Sequence, residues 1–280
     1  MNESPFQYCL NTFTMGTTDV PLADKIAAAA GADYDAIEPW IKELDAHVAQ
    51  GGTLNDLRRR VDDTGMKVAN LIGFFDWAVP DEQRRCAGLE EARRCFELAQ
   101  RLGCPYVAAP PYGMTDIAGA DLFAIARRYA ELIDIGASYG VTPLLEFWGF
   151  SKTLGHLGEA LLVAAECGRS EARILADVFH MYKSSRQFNG LDMLGPRTLG
   201  LFHINDYPAS DQPDTLVDAD RVYPGDGVAP LTRILAQLRA AGYRGMLSLE
   251  LFNQTYWKED IRSIARTGLE KLQRVVATLD

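Results

Sequence analysis

The sequence predicts an α/β fold, a single (β/α)8 barrel that spans residues 1–280 as one domain. Three observations lead to this prediction. Eight apolar, strand-like runs alternate with helical segments along the chain. No linker, composition shift or low-complexity stretch divides them, and 280 residues is a normal length for one such barrel. The first run ends in NTFTMGTTD, whereas an open doubly wound sheet would carry a G-x-G-x-x-G turn there.

The eight runs have the composition of buried parallel strands. They are rich in aliphatic and branched residues and lack strict alternation. In chain order they cover residues 8–14, 35–39, 66–73, 105–111, 141–147, 173–179, 199–204 and 245–252.

Helical spacing of apolar residues predicts the segments between the strands. The first helix follows Pro21 and ends near Gly31, and Thr53 with Asp56 has the spacing of a capping box. The remaining predicted helices cover residues 82–103, 121–140, 156–167, 190–194, 230–242 and 258–278. Residues 205–227 form the longest stretch without a clear element, and a loop of that length in a compact barrel indicates a functional role.

Composition argues against several classes of protein. The net charge of −10 is opposite to that of nucleic-acid-binding proteins. No apolar run has membrane-spanning length, and MNESPFQY lacks the order of a signal peptide, so we expect a soluble cytoplasmic protein with no membrane partner. Five scattered cysteines without a C-x-x-C pair predict neither disulfides nor a zinc knot.

Strands five to eight each end with a group that can bind a metal: Glu146, Asp177, His203 and Glu250. Any one of them could instead cap a helix, form an ion pair or be a core imidazole. In a barrel, however, the ends of neighbouring parallel strands open onto one mouth. The four together therefore predict one metal centre. Oxygen ligands with one imidazole suit Mn²⁺, Mg²⁺, Co²⁺ or Zn²⁺, with positions left open for substrate or water.

Several motifs give the sequence a resemblance to a known family. They are L-E-F after strand five, D-x-x-H after strand six, H-x-x-D followed by P-G-D-G after strand seven, and L-E-x-F after strand eight. The pattern resembles the xylose isomerase-like TIM-barrel superfamily, in its sugar phosphate isomerase/epimerase branch. The stretches DVFHMYKSS, HINDYP…DADRVYPGDG and ELFNQTYW are most similar to the inosose (2-keto-myo-inositol) isomerase group.

The resemblance implies a role for each motif residue. Glu146, Asp177, His203 and Glu250 would be the metal ligands, and His180 would contact the substrate and shuttle a proton. The two glutamates would also be the acid/base pair, removing a proton beside a carbonyl and returning it through an enediolate. The arginine that follows the strand-seven histidine in ketose 3-epimerases is absent from HINDYPAS, which disfavours that activity.

Four further polar residues are secondary candidates. Glu38 ends strand two and would bind a substrate hydroxyl or form an ion pair inside the mouth. Arg221 would bind the substrate from the loop after strand seven, and Lys183 is a weaker candidate for the same role. Asp206 would orient the ring of His203 by a hydrogen bond, without binding the metal itself.

Three tryptophans follow strands and could stack on the apolar face of a sugar ring: Trp148, Trp77 and Trp257. Trp148 is the substrate-binding candidate among them, and burial against a helix is the alternative for each.

The preferred activity is therefore a divalent-metal-dependent isomerase or epimerase of a small sugar or polyol ketone. A dehydratase acting on inosose or 3-dehydroshikimate and a non-catalytic sugar-binding barrel remain alternatives. The absence of a basic phosphate cradle favours a neutral substrate, and the family resemblance makes a homo-oligomer possible.

Overall fold

A computed structural model of the chain describes residues 4–279, so residues 1–3 and 280 of the predicted domain lie outside the described residues. Within this range eight parallel strands alternate with helices. The strands are β1 (Gln7–Asn11), β2 (Ala36–Glu38), β3 (Lys67–Val68), β4 (Tyr106–Ala109), β5 (Thr142–Glu146), β6 (Arg173–Asp177), β7 (Leu199–Ile204) and β8 (Met246–Leu249).

The sheet closes on itself, which confirms the predicted barrel. Its strand order is β3-β2-β1-β8-β7-β6-β5-β4. The two outer strands are joined through Leu71, whose N–H donates to the Tyr106 carbonyl at 3.1 Å and whose carbonyl accepts from the Ala108 N–H at 2.9 Å. The closure brings all the strand ends to a common rim.

Nine α-helices within residues 4–279 surround the sheet. They are α1 (Leu22–Gly31), α2 (Ile41–Ala49), α3 (Leu54–Thr64), α4 (Glu82–Leu102), α5 (Leu122–Ala137), α6 (Leu157–Glu166), α7 (Val178–Ser185), α8 (Leu231–Ala240) and α9 (Ile261–Ala277). None of them is long and apolar enough to cross a membrane. The N-cap half of the predicted capping box is present, because the Thr53 hydroxyl accepts from the Asp56 N–H at 3.1 Å. The Asp56 carboxylate pairs with Arg59 and Arg60.

The helix between β6 and β7 differs from the prediction. It is α7, which begins directly after the strand, whereas the predicted helix at 190–194 is one 3₁₀ turn, Leu191–Met193. The polar residue that ends the strand also starts the helix, because the Asp177 carboxylate accepts from the His180 N–H. No loop residues separate the two elements, so the sequence contains no turn signal at this boundary.

The barrel interior is built in layers with the two-residue period of a strand. One small or aliphatic residue from each of several strands forms an apolar layer: Cys9, Ala36, Ala69, Ala108, Leu144, Leu175 and Leu201. Two residues further along β1, β2, β5, β6 and β7 the same inward face carries a polar side chain. These side chains are Asn11, Glu38, Glu146, Asp177 and His203. The polar layer therefore lies directly above the apolar one.

A buried ion pair attaches the turn after β1 to the start of α2. The fully buried Lys25 ammonium donates to Glu43 Oε1 at 2.6 Å and to the Gly16 and Thr17 carbonyls at 2.6 and 2.9 Å. The Glu43 carboxylate also accepts from the Trp40 N–H at 2.9 Å. The pair thus fixes the backbone at Trp40.

Replacing Lys25 with methionine should destabilise the protein strongly. The substitution leaves the Glu43 carboxylate buried without its cation, so we expect a loss of about 3–5 kcal/mol in the free energy of unfolding. Urea denaturation measures it, with Arg58→Met as the control because the Arg58–Asp62 pair is exposed and should contribute about 0–1 kcal/mol. Equal losses in the two variants would contradict the structural importance of the Lys25–Glu43 pair.

Candidate metal centre and active-site cavity

Three of the four predicted ligands converge at the rim of the barrel. One ligand atom from each of Asp177, His203 and Glu250 lies within 4.8 Å of the other two, and all three residues are buried. Neighbouring strands supply them, since Asp177 pairs with His203 in the sheet and Glu250 directly follows β8. This convergence is what the predicted metal centre requires.

The imidazole of His203 is orientated as a ligand would be. Its Nδ1 lies 3.2 Å from Glu250 Oε2 and 3.7 Å from Asp177 Oδ2, but it has no hydrogen-bond partner within residues 4–279. A buried ring nitrogen that faces two carboxylate oxygens without a hydrogen bond is costly. A divalent cation between the three groups would satisfy it, so these residues fit a bound metal ion.

Glu38 holds the opposite edge of this ring. Its two oxygens lie 3.0 and 2.9 Å from His203 Nε2, and its carboxylate also accepts from Asn70 Nδ2 at 2.8 Å and Ser248 Oγ at 2.7 Å. Glu38 is fully enclosed and does not line the cavity. Of the two predicted roles, the structure therefore fits the ion pair inside the mouth and not contact with a substrate hydroxyl.

Asn11 connects Glu38 to the metal centre. Its amide nitrogen donates to Glu38 Oε2 and to Glu250 Oε1, each at 3.0 Å. Its amide oxygen accepts from Trp40 Nε1 at 2.9 Å and from the Phe13 N–H at 3.0 Å. A flipped amide would place donors against donors, so the network determines the orientation of Asn11 and, through it, that of Glu250.

The carboxylates around the His203 imidazole favour positive charge there. Burial disfavours protonation of His203, but the carboxylates of Glu250 and Glu38 outweigh it and raise the pKa of the imidazole well above its usual value. Burial likewise disfavours ionisation of Glu38, yet the neighbouring His203 lowers the pKa of that carboxyl below its usual value. The same field that favours a protonated ring would favour a metal cation.

Glu146, the fourth predicted ligand, lies on the cavity wall outside the group of three. The Trp148 indole donates to its Oε1 at 3.0 Å. Burial raises the pKa of Glu146 to about 8, and the nearby Glu250 and Asp177 add to the effect against the opposing influence of His203 and Trp148. The residue is thus a buried, cavity-facing carboxyl in a negatively charged environment.

His180 lines the same cavity from α7. Its Nε2 lies 3.4 Å from Arg221 Nη2, and its buried Nδ1 has no hydrogen-bond partner in the described part of the chain. Burial lowers the pKa of His180, and the adjacent guanidinium adds to that effect against the attraction of Asp177. The ring is therefore a neutral imidazole with one unused nitrogen.

The cavity has a volume of about 220 Å³ and a largely aromatic wall. Its lining comprises Trp40, Ile72, Phe74, Glu146, Trp148, Phe150, His180, Asp218, Arg221, Glu250 and Phe252. Trp40 meets Phe74 and Phe252 edge to face, and Trp148 stacks on Phe150. Of these aromatics the sequence predicted Trp148 alone. A signal for three of the others was present, because Trp40 and Phe74 directly follow strand-like runs and Phe252 is the last residue of one.

The long loop 205–227 delivers two charged residues to the cavity. Arg221 is fully buried, and its Nη1 donates to Asp177 Oδ2 at 3.0 Å and to Glu250 Oε2 at 2.8 Å. Its Nη2 donates to Asp218 Oδ1 at 2.6 Å. Arg221 was predicted at this mouth, whereas Asp218 was not singled out because acidic residues in loops are usually solvated.

Asp206 has a different role from the predicted one. Its carboxylate accepts from the backbone N–H groups of Tyr207, Gly225, Gly227 and Ala229 at 2.8–3.0 Å and does not orient His203. It organises the P-G-D-G turn, where a side chain at Gly227 would come within 2.2 Å of the Tyr207 carbonyl. The ring that Asp206 was expected to support is held by Glu38 instead.

Three other candidates lie outside the cavity lining. Lys183 belongs to α7, not to a loop, and donates to the Asp214 and Leu216 carbonyls. Trp77 is buried with its indole donating to the Pro110 carbonyl, and the Trp257 indole donates to the Phe13 carbonyl. These three residues are structural in this fold.

Two curated relatives illustrate the range of similar enzymes. The chain is 27% identical to an inosose isomerase of Halalkalibacterium halodurans over 248 residues, covering 87% of both chains. It is 29% identical to a 3-dehydroshikimate dehydratase of Pseudomonas aeruginosa over 259 residues, covering 90% of this chain but 39% of that protein. An isomerase and a dehydratase are therefore comparably similar to this chain in sequence.

The fold is shared with a solved structure and with a described family. The IOLI protein, crystallised with a bound zinc atom, superposes with a TM-score of 0.89 at 23% identity, over 98% of this chain and 99% of that one. The xylose isomerase-like TIM barrel family matches residues 26–274. This match covers most of the sequence and confirms the resemblance drawn from the strand-end motifs. The chain belongs to the xylose isomerase-like TIM barrel family.

Proposed function

We propose that the protein is a divalent-metal-dependent isomerase or epimerase of a ring polyol ketone of the inosose (2-keto-myo-inositol) type. The single observation that carries the proposal is the convergence of Asp177, His203 and Glu250 beside a cavity, with His203 Nδ1 buried, facing two carboxylate oxygens and without a hydrogen bond within residues 4–279. The similarity to inosose isomerases supports the choice of substrate class.

Asp177, His203 and Glu250 would hold the metal ion, and Glu146 would complete the set from the cavity wall. A bound divalent ion would polarise the substrate carbonyl and so acidify the adjacent C–H bond. Asp177 and His203 are anchored by bonds on their outer sides, from the His180 N–H and to Glu38 respectively. We therefore assign these two residues to holding the ion.

Glu146 and Glu250 are the proposed acid/base pair. Both line the cavity, from the ends of strands β5 and β8. One carboxylate would take the proton from carbon and the other would return it at the neighbouring carbon or on the opposite face. The neutral His180, with one unused ring nitrogen, would hydrogen-bond a substrate oxygen and shuttle its proton.

The aromatic wall supports a ring-shaped substrate. Rings stacked or packed edge to face around the cavity present flat apolar surfaces, which match the C–H face of a six-membered polyol ring. Its oxygen-bearing edge would then be directed toward the carboxylates. Trp148 is the proposed stacking residue on this wall.

The test of the proposal is proton exchange. Protein loaded with Mn²⁺ or Zn²⁺ is incubated with 2-keto-myo-inositol in D₂O and the substrate is followed by NMR. We expect deuterium to appear beside the carbonyl and a second keto isomer to accumulate, with both processes abolished by a chelator and restored by metal. Absence of exchange together with absence of stoichiometric metal would overturn the proposal.

A dehydratase is the second candidate, because the identity of 29% to a 3-dehydroshikimate dehydratase is comparable to the 27% identity to an inosose isomerase. Removal of a proton by the same carboxylates, followed by loss of a β-hydroxyl as water, would need no different residues. The same NMR experiment with 3-dehydroshikimate distinguishes the reactions, since elimination of water creates a conjugated or aromatic product.

Glu146→Gln should separate proton transfer from metal binding. The substitution removes the base, but it leaves the three convergent ligands in place and keeps an amide oxygen that can still face the ion. We therefore expect deuterium exchange to fall about 100-fold or more, while protein saturated with metal still holds one ion per chain. Glu166→Gln, at an exposed position on α6, is the matched control and should exchange normally. An unchanged exchange rate in Glu146→Gln would contradict its role as a base.

Glu38→Gln should weaken metal binding. The amide removes the negative charge behind His203 and directs an N–H₂ group at the donors that Glu38 now accepts from, so we expect a loss of about 10- to 100-fold in metal affinity. Competition with a fluorescent chelator measures it. The exposed Glu90→Gln should bind metal as the wild type does. Unchanged affinity in Glu38→Gln would show that this contact does not tune the ligand.

A further inference from the structure

The cavity contains one cationic side chain among the described residues that line it, Arg221, and its charge is already matched by acids. Four of its five N–H donors point to neighbours: Nη1 to Asp177 and Glu250, and Nη2 to Asp218 and His180. The remaining Nε–H is buried and has no partner within residues 4–279. It leaves Arg221 with one free N–H, which can donate to one oxygen atom.

Arg221 is also held in place. Its guanidinium carbon lies 5.0 Å from the centre of the Phe179 ring and 5.2 Å from that of Phe252. Asn253 donates to its backbone carbonyl at 3.0 Å. A guanidinium fixed between two rings and bonded to three carboxylates cannot turn toward a new anion without breaking those bonds.

Asp218 differs from the other partners of Arg221. Asp177 and Glu250 belong to the metal centre, whereas Asp218 comes from the long loop, lines the cavity and has 41% of its side chain exposed. Although burial opposes its ionisation, Arg221 holds the pKa of the Asp218 carboxyl below its usual range. It therefore adds a negative charge to the cavity wall without being required to hold a metal.

The charge balance of the site stays negative even with a divalent ion bound. The ion and Arg221 supply three positive charges. The carboxylates of Glu38, Asp177, Asp218 and Glu250 supply four negative charges when ionised, and Glu146, whose pKa is raised to about 8, adds a fifth only when it has lost its proton. An anionic substituent on a substrate would therefore meet no unmatched cation among the described residues that line the cavity.

We infer that Asp218 is a specificity residue that excludes anionic substrates, so that the site accepts uncharged ring ketones and rejects carboxylated or phosphorylated ones. This inference rests on the proposed function, because it concerns the substrate of that same reaction. It separates the two reaction types among the relatives, since 3-dehydroshikimate carries a carboxylate at neutral pH and a keto-inositol carries no charge.

The test uses two ligands of nearly the same shape, shikimate and its amide, which differ in charge and in the exchange of one acceptor oxygen for an N–H₂ donor. Binding to metal-loaded protein is measured by calorimetry. The wild type should bind the amide at least about tenfold more tightly than the acid, as one unmatched charge in a partly solvated cavity requires. Asp218→Asn should raise the affinity for shikimate about tenfold and leave that for the amide within about twofold. The control Asp211→Asn removes the same charge from an exposed site in the same loop and should change neither.

The outcomes separate failure of the inference from failure of the proposed function. Equal binding of both ligands by a wild type that performs deuterium exchange overturns the inference alone. So does an unchanged preference in Asp218→Asn, provided that Asp218→Ser, which also removes the charge, gives the same result. If the wild type binds neither ring and exchanges no deuterium into 2-keto-myo-inositol, the proposed function and the inference are both overturned.

Discussion

The fully buried carboxylate of Glu38 is the constraint on which the site depends. A charge so enclosed is tolerated only when its oxygens are satisfied, and the donors come from Asn11 on β1, Asn70 beyond β3, His203 on β7 and Ser248 on β8. Glu38 on β2 is therefore bonded to four other parts of the barrel, at the level of the candidate metal centre. The ring of His203 has its orientation because the opposite ring nitrogen is bound to this carboxylate.

The same network reaches the cavity. Asn11 donates to both Glu38 and Glu250 and accepts from the Trp40 indole, so a ligand residue and an aromatic wall residue share one partner. Trp40 is held from its other side by the Lys25–Glu43 pair through its backbone N–H. The proposed metal ligands and the proposed substrate wall thus belong to one hydrogen-bonded network, and such preorganisation is what the proposed proton transfer between carbon atoms would require.

The aromatic wall and the charged groups have different proposed roles. The aromatic wall would bind a substrate ring by its flat apolar face, and the carboxylates would direct its oxygens. Arg221 pairs with Asp177, Asp218 and Glu250, and we infer that Asp218 disfavours an incoming anion. The proposal thus assigns electrostatic selectivity to the long loop after β7 and the chemistry to the strand ends.

The sequence by itself determined the barrel and the identities of the groups at its rim. The side chains of a strand point alternately to its two faces, and the carboxyl ends of all strands in a closed parallel sheet lie at one rim. Glu146, Asp177 and His203, near the ends of apolar runs, were therefore expected at that rim. Pattern and position are local properties, so they could be read without a structure.

Only the tertiary structure decided what each polar group touches. Glu38 and Asp206 are both acids near strand ends, yet Glu38 holds His203 and Asp206 holds the P-G-D-G turn. Asp218 stands next to Arg221 in space through a turn that carries no periodic signal, and Trp40 and Phe252 meet from opposite ends of the sequence. Hydrogen-bond partners across a closed barrel depend on register and loop path, which are set by the packing of the whole chain.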